Sequence, residues 1–105
     1  MLYLITTPVD LHPGNYKCTQ VDSAVATELI QKAEENGELK PYVNFGSTRF
    51  ALQKLTGVKV DLVRKVSIPA PRDGDEILSV RLNEKPEGGR VEPEHLDFFL
   101  VQFDS

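Results

Sequence analysis

The stretch Asn44-Phe45-Gly46-Ser47-Thr48-Arg49 decides the fold, because it ends one extended segment and opens a helix predicted over Phe50–Thr56. We expect Ser47 to be the N-cap, with its hydroxyl accepting a hydrogen bond from a first-turn N–H. The helix dipole adds partial positive charge there. Backbone N–H groups of Gly46 and Ser47, with the hydroxyls of Ser47 and Thr48, are therefore candidates to hold a phosphate oxygen. On the local sequence alone, a capped helix that binds nothing is the commoner case.

The segments around this turn alternate between apolar strands and amphipathic helices. One long helix is predicted over Ser23–Asn36, with Asp22 as its N-cap and Gly37 as a left-handed stop. Strands are predicted over Leu2–Ile5, Tyr16–Val21, Leu39–Val43, Val58–Ile68, Glu76–Leu82 and Phe98–Phe103. The near-continuous apolar run Leu2–Ile5 predicts a central strand, and the run Phe98–Phe103 predicts a buried last strand. The pattern indicates an α/β or α+β fold with a mixed sheet of about five strands flanked by two or three helices.

Length and composition fit a single domain over residues 1–105. The chain has 105 residues, of which 40% are hydrophobic and 27% charged. These values predict one globular core of modest size. A dimer would bury more surface, so we expect a homodimer.

No targeting or membrane segment is recognisable. Met1 leads directly into the short apolar run Leu2–Ile5, without a basic leader or a long hydrophobic stretch. We therefore expect a cytoplasmic protein. Cys18 is the single cysteine, which excludes an internal disulfide and a thiolate zinc cluster, and we expect it to serve packing. No metal and no cofactor is predicted.

The charge is unevenly distributed along the chain. The net charge of −4 argues against general affinity for polynucleotides. Residues 45–90 nevertheless hold nine of the twelve basic residues against six of the sixteen acidic ones. This segregation allows one basic face on an acidic body, which suits a small anionic ligand.

The order of these features resembles a known family. An apolar first strand ends in the threonine tip Thr6-Thr7, a hydrophobic approach leads to Ser47-Thr48, and a helix closes at Leu55-Thr56-Gly57. Gly74-Asp75-Glu76, a charged Glu-Gly loop and an aromatic last strand follow. Nearly the whole chain thus resembles the small viral and phage proteins, long of unknown function, that include the type III anti-CRISPR ring nucleases. The resemblance implies a dimer that binds cyclic tetra-adenylate and cleaves it without metal, with a histidine as general acid.

The chain differs from the family pattern at the position of the general-acid histidine. The family motif is roughly Gly-His-x-Ser-Thr, and Phe45 stands at the histidine position. A phenyl ring cannot transfer a proton, although it can stack on a base. The family also has an Arg-x-x-Glu-Gly motif. An ungapped alignment places Lys85 at its arginine and leaves Glu87 one residue out of register with its glutamate. An alignment with a gap places Arg81 at the arginine instead. By resemblance, the candidate ligand-binding residues are Thr7, Phe45, Gly46, Ser47, Thr48, Arg81, Lys85 and Glu87.

Three hypotheses follow. The first is a non-catalytic or weakly catalytic binder of a cyclic oligonucleotide or related phosphate-bearing signal, which retains ligand binding although catalysis is lost. The second is an active ring nuclease with a rearranged site that uses His12 or His95 as the acid and Lys85 or Arg81 to stabilise the phosphate charge. The third is a protein-interaction module whose pocket is closed by Phe45. No catalytic residue is assigned.

Overall fold

The described residues form a five-stranded mixed sheet with two α-helices on one face. The computed structural model describes residues 1–6, 15–43, 46–60, 74–83, 88 and 90–104. The elements in chain order are β1 (Leu2–Ile5), β2 (Asn15–Val21), α1 (Ser23–Glu35), β3 (Leu39–Tyr42), α2 (Gly46–Thr56), β4 (Glu76–Leu82), a 3-10 turn (Pro93–His95) and β5 (Leu96–Asp104). The predicted α+β fold is confirmed.

The sheet has the strand order β2-β5-β4-β1-β3. β1 lies parallel to both β3 and β4, whereas β5 runs antiparallel to β4 and β2. All four residues of β1 are buried. The near-continuous apolar run Leu2–Ile5 therefore predicted a central strand correctly.

Local capping sets the limits of α1. The Asp22 side chain accepts a hydrogen bond of 2.8 Å from the Val25 amide, as the sequence predicted. At the other end the chain leaves the helix through Gly37 at φ +68°. This left-handed conformation strains residues with a Cβ, so glycine is favoured there.

The main core lies between the two helices and the sheet face they cover. Helix α1 contributes Ala26, Ile30 and Ala33, and α2 contributes Ala51 and Leu52. The sheet side chains packed in this core are Leu2, Leu4, Leu78, Val80, Leu96 and Phe98. On the opposite face, Tyr3, Ile5 and Ile77 form a smaller buried cluster.

The predicted strand Val58–Ile68 is wrong in its first three residues. Residues 58–60 belong to no strand, and 61–68 lie outside the described residues. Side chains of α2 satisfy the backbone here. The Val58 amide donates to Thr56 Oγ1 at 3.1 Å, and the Val60 amide donates to Gln53 Oε1 at 3.0 Å. These bonds replace those of a strand ladder.

Two burial predictions also fail. The last strand was expected to be buried, but Phe98 is buried while Phe99 and Val101 are only half-buried and Gln102 is exposed. The reason is that the helices cover one face of this antiparallel strand. Cys18, expected to pack, is exposed on the edge strand β2.

None of the helices in the described part of the chain has the length and apolar character needed to cross a bilayer.

Candidate functional site

Three strands end at the same edge of the sheet, next to the start of α2. The register places Ile5 of β1 beside Tyr42 of β3 and Ser79 of β4. Because these strands are parallel, their carboxyl ends share one edge, where ligands bind in many sheets with helical connections. Helix α2 begins at Gly46, shortly after β3 ends.

Helix α2 begins earlier than the sequence predicted. The expected start was Phe50 with Ser47 as N-cap, but the helix runs from Gly46, which puts Ser47 inside the first turn. The prediction was wrong because the Gly-Ser pair was interpreted as a turn, although its conformation is helical. First-turn amides still lack acceptors within the helix. A Cβ added at Gly46 would meet open space among the described residues.

The two hydroxyls of this turn differ in access to solvent. Ser47 is exposed, whereas Thr48 is 5% exposed. Thr48 lies on the side of α2 that carries the core residues Ala51 and Leu52. Of the two hydroxyl groups predicted to contact a phosphate, the one of Ser47 faces solvent.

Ser47 lies at a surface cleft of about 270 Å³. We call it the α2 cleft. Its lining residues are Ser47, Phe50, Ala51, Lys54, Arg90, Val91 and Glu92. The helical spacing of Ser47, Phe50 and Lys54 places them on one side of α2. The segment 90–92 supplies the other wall, and buried Val91 anchors that wall in the core.

Two cations in the α2 cleft meet on one carboxylate. Lys54 Nζ lies 2.9 Å from Glu92 Oε2, and Arg90 Nε lies 2.9 Å from Glu92 Oε1. The hydrogen bond from Lys54 is the main cause that lowers the pKa of Glu92. Desolvation opposes this shift, and the charges of Lys54 and Arg90 make smaller contributions that lower the pKa. Since the cationic side chains are 64% and 83% exposed, they are accessible to a dissolved anion.

His95 has a structural role in the 3-10 turn. Its Nδ1 accepts a hydrogen bond of 3.0 Å from the Glu92 amide. In this bond Nδ1 is the ring nitrogen without a proton, because it accepts. His95 does not line the α2 cleft.

The structure places only some of the predicted site residues. Thr7, Phe45, Lys85, Glu87 and the candidate acid His12 lie outside the described residues. Arg81 is exposed near the end of β4, opposite Asp97. Its neighbour Val80 faces the helices, so Arg81 points to the other sheet face. Within one chain, Arg81 and Ser47 are therefore not brought together.

Sequence reasoning missed Phe50, Lys54 and Arg90, which line the α2 cleft. Phe50 and Lys54 lie three and seven residues after Ser47, a helical spacing that would have revealed them. Arg90 carries no such signal, because only tertiary packing brings it to α2. No group of three or more His, Cys, Asp or Glu side chains placed to hold a metal occurs in the described ranges.

Comparison with known proteins assigns the family. The model of the STIV B116-like family matches residues 2–103. The chain belongs to the STIV B116-like family. The solved structure of B116 of Sulfolobus turreted icosahedral virus shares the family's fold with this chain at a TM-score of 0.78 and 17% sequence identity. The match covers 96% of this chain and 97% of the viral one. A search of curated protein sequences finds no match.

Proposed function

We propose that this protein binds a cyclic oligonucleotide or a related phosphate-bearing signal, with little or no catalysis, as a viral or phage anti-defence protein. The observation that carries the proposal is the exposed hydroxyl of Ser47 in the first turn of α2, at a cleft that also holds Lys54 and Arg90. Membership of the STIV B116-like family supports the viral setting.

The chemistry of the α2 cleft suits a phosphodiester. A helix N-terminus presents backbone donors and positive dipole charge to an anion, and the Ser47 hydroxyl adds another donor. Lys54 and Arg90 together carry two positive charges, whereas Glu92 carries one negative charge. A phosphate group would thus meet a net positive wall.

Binding without efficient cleavage follows from the residue at position 45. Phe45 stands in the sequence where the family resemblance expects the general acid, and a phenyl ring has no proton to give. Loss of a positioned acid lowers the rate by about 10²- to 10⁴-fold. Since His95 does not line the α2 cleft, it is poorly placed to take over. We propose that the protein lowers the free concentration of its ligand by sequestration, as a homodimer in the cytoplasm of the host cell.

Isothermal titration tests the proposal. The purified protein is titrated with cyclic tetra-adenylate, other cyclic oligoadenylates and cyclic dinucleotides, and we expect saturable heat with at least one. The variant Lys32→Gln serves as a control and should bind the same ligand as the wild type does, because Lys32 lines a different cavity, next to α1. Absence of binding to every ligand would refute the proposal.

Chromatography separates binding from cleavage. Cyclic tetra-adenylate incubated with excess protein should be recovered largely intact. Rapid conversion to linear products, abolished in His12→Ala or His95→Ala, would instead establish the ring nuclease with a rearranged site.

A further inference from the structure

Phe50 is exposed in a way that packing does not explain. It lies in the second turn of α2 with 61% of its surface exposed, the largest fraction among the exposed large hydrophobic residues of the described chain. Its helix neighbours Ala51 and Leu52 are 2% and 0% exposed. The ring is therefore outside the core, on the side of the helix that faces the α2 cleft.

Arg49 holds one face of this ring. The guanidinium carbon lies 4.8 Å from the ring centroid of Phe50, a cation–π contact. Arg49 Nε is buried and has no hydrogen-bond partner in the described part of the chain. Contact with the ring, instead of a hydrogen bond at Nε, thus helps to fix this side chain. The contact also restricts the Phe50 ring, which reduces the entropy lost when a ligand stacks on it.

The neighbours of Phe50 supply the other half of a nucleotide site. Lys54 lies one turn further along α2, and Ser47 one turn before Phe50. Both line the same cleft, together with Arg90. A flat apolar surface beside two cations and a hydroxyl matches a nucleotide, in which a flat base is joined through a sugar to a phosphate.

We infer that Phe50 is the stacking platform for a nucleobase and that the α2 cleft takes one nucleotide unit of the ligand. This inference rests on the proposed function and assigns a specificity-determining residue to it. The cleft volume of about 270 Å³ is near the lower limit for small-molecule pockets, so a single unit of a cyclic oligonucleotide fits rather than the whole ring.

The first test replaces the aromatic ring without disturbing the core. Phe50→Leu keeps a hydrophobic side chain at an exposed position but removes the π face. We expect affinity for the cyclic oligonucleotide bound by the wild type to fall about tenfold or more, because stacking on one aromatic side chain contributes that much. Affinity for pyrophosphate, which has no base, should stay within twofold.

The second test uses the absence of tryptophan from the chain. Phe50→Trp introduces a single tryptophan at the proposed platform, whose emission can be excited apart from that of the three tyrosines. Its emission should be quenched on addition of the cyclic oligonucleotide and remain unchanged with pyrophosphate or ribose 5-phosphate. Leu82→Trp, at another exposed position, is the matched control and should show no quenching.

The outcomes separate this inference from the proposed function. If the wild type binds but Phe50→Leu binds equally well and Phe50→Trp is not quenched, the inference is refuted while the proposed function stands. If the wild type binds no nucleotide, both are refuted. A change of molar mass by light scattering in Phe50→Leu, with ligand affinity retained, would show that Phe50 is a subunit contact and would also overturn the inference.

Discussion

Two surface cavities lined by described residues have nearly equal volume and very different chemistry. The α2 cleft measures about 270 Å³, and a second one, the α1 cavity, measures about 290 Å³. The α1 cavity is lined by Met1, Leu2, Leu29, Lys32, Ala33, Asn36, Glu38, Gly74 and Glu76. It lies at the start of β1 and β4 and the end of α1, so at the sheet edge opposite to the carboxyl ends of the parallel strands.

The pattern of charges and the position at the sheet edge distinguish these cavities, whereas their volumes do not. The lining of the α1 cavity has two carboxylates, Glu38 and Glu76, and one basic side chain, Lys32. The amino group of Met1, which also lines it, lies 3.4 Å from the carboxylate of Asp75. The α1 cavity is also next to the negative end of the α1 dipole. The α2 cleft has two basic side chains, one acidic one and the positive end of a helix. We therefore expect an anion to bind more tightly in the α2 cleft than in the α1 cavity.

Removal of both cations from the α2 cleft should have the largest effect. In the double variant Lys54→Gln, Arg90→Gln, a bound phosphate would lose two charge-assisted hydrogen bonds and would face the unpaired carboxylate of Glu92. We expect affinity for the cyclic oligonucleotide to fall about 100-fold, measured by titration calorimetry. Unchanged affinity would show that the ligand does not bind in the α2 cleft.

A smaller loss is expected from Ser47→Ala. One neutral hydrogen bond to the ligand contributes about 1 kcal/mol, which corresponds to a fivefold weaker affinity. Since Ser47 lies inside the helix and is not its cap, alanine should change the free energy of unfolding by less than about 0.5 kcal/mol. Denaturant unfolding checks this. A loss of stability typical of a removed cap, about 1 kcal/mol, would contradict the observed helix start.

Glu92→Gln should strengthen anion binding. The substitution removes the carboxylate that contacts Lys54 and Arg90, and both cations then become available to the ligand. Because the groups are solvent-exposed, the gain should be modest, about two- to fivefold in affinity for the same oligonucleotide. A decrease would mean that Glu92 holds the two cations in their binding positions.

The same variant predicts a small acid dependence of stability. The folded-state pKa of Glu92 is lowered, chiefly by Lys54, so ionised Glu92 stabilises the fold above its ordinary pKa of 4.5. That contribution is lost as the pH falls through the lowered folded-state value. The stability difference between wild type and Glu92→Gln should therefore be constant from pH 7 to about pH 5 and disappear in stronger acid. Thermal unfolding across this range measures it, and a difference that grows in acid would contradict the sign.

The smallest effect is expected in the α1 cavity. Lys32→Gln should leave ligand affinity within twofold of the wild type, because Lys32 lines the α1 cavity, which lies at the other edge of the sheet. If ligand affinity falls as much as in the double variant, the ligand binds in the α1 cavity and not in the α2 cleft.

Elements with strong local signals were predicted well from the sequence. Strand β1, helix α1 with the Asp22 cap, and the left-handed Gly37 all lie where the pattern placed them. The same reasoning failed at α2, where Gly46 and Ser47 have low helix propensity and are helical nevertheless. Propensity is a weak guide when packing of Ala51 and Leu52 against the sheet stabilises the helix.

By itself, then, the sequence determined the fold class, the first strand, helix α1 with its caps, and the presence of two hydroxyl side chains where α2 begins. Each of these depends on neighbours within a few positions, where hydrophobic period and capping act. Only the tertiary structure decided that Lys54 meets Glu92 from 38 positions away, and that Arg90 joins them next to Phe50. The physical reason is the burial of Val91 in the core, which fixes the segment 90–92 beside α2 and which no local pattern encodes.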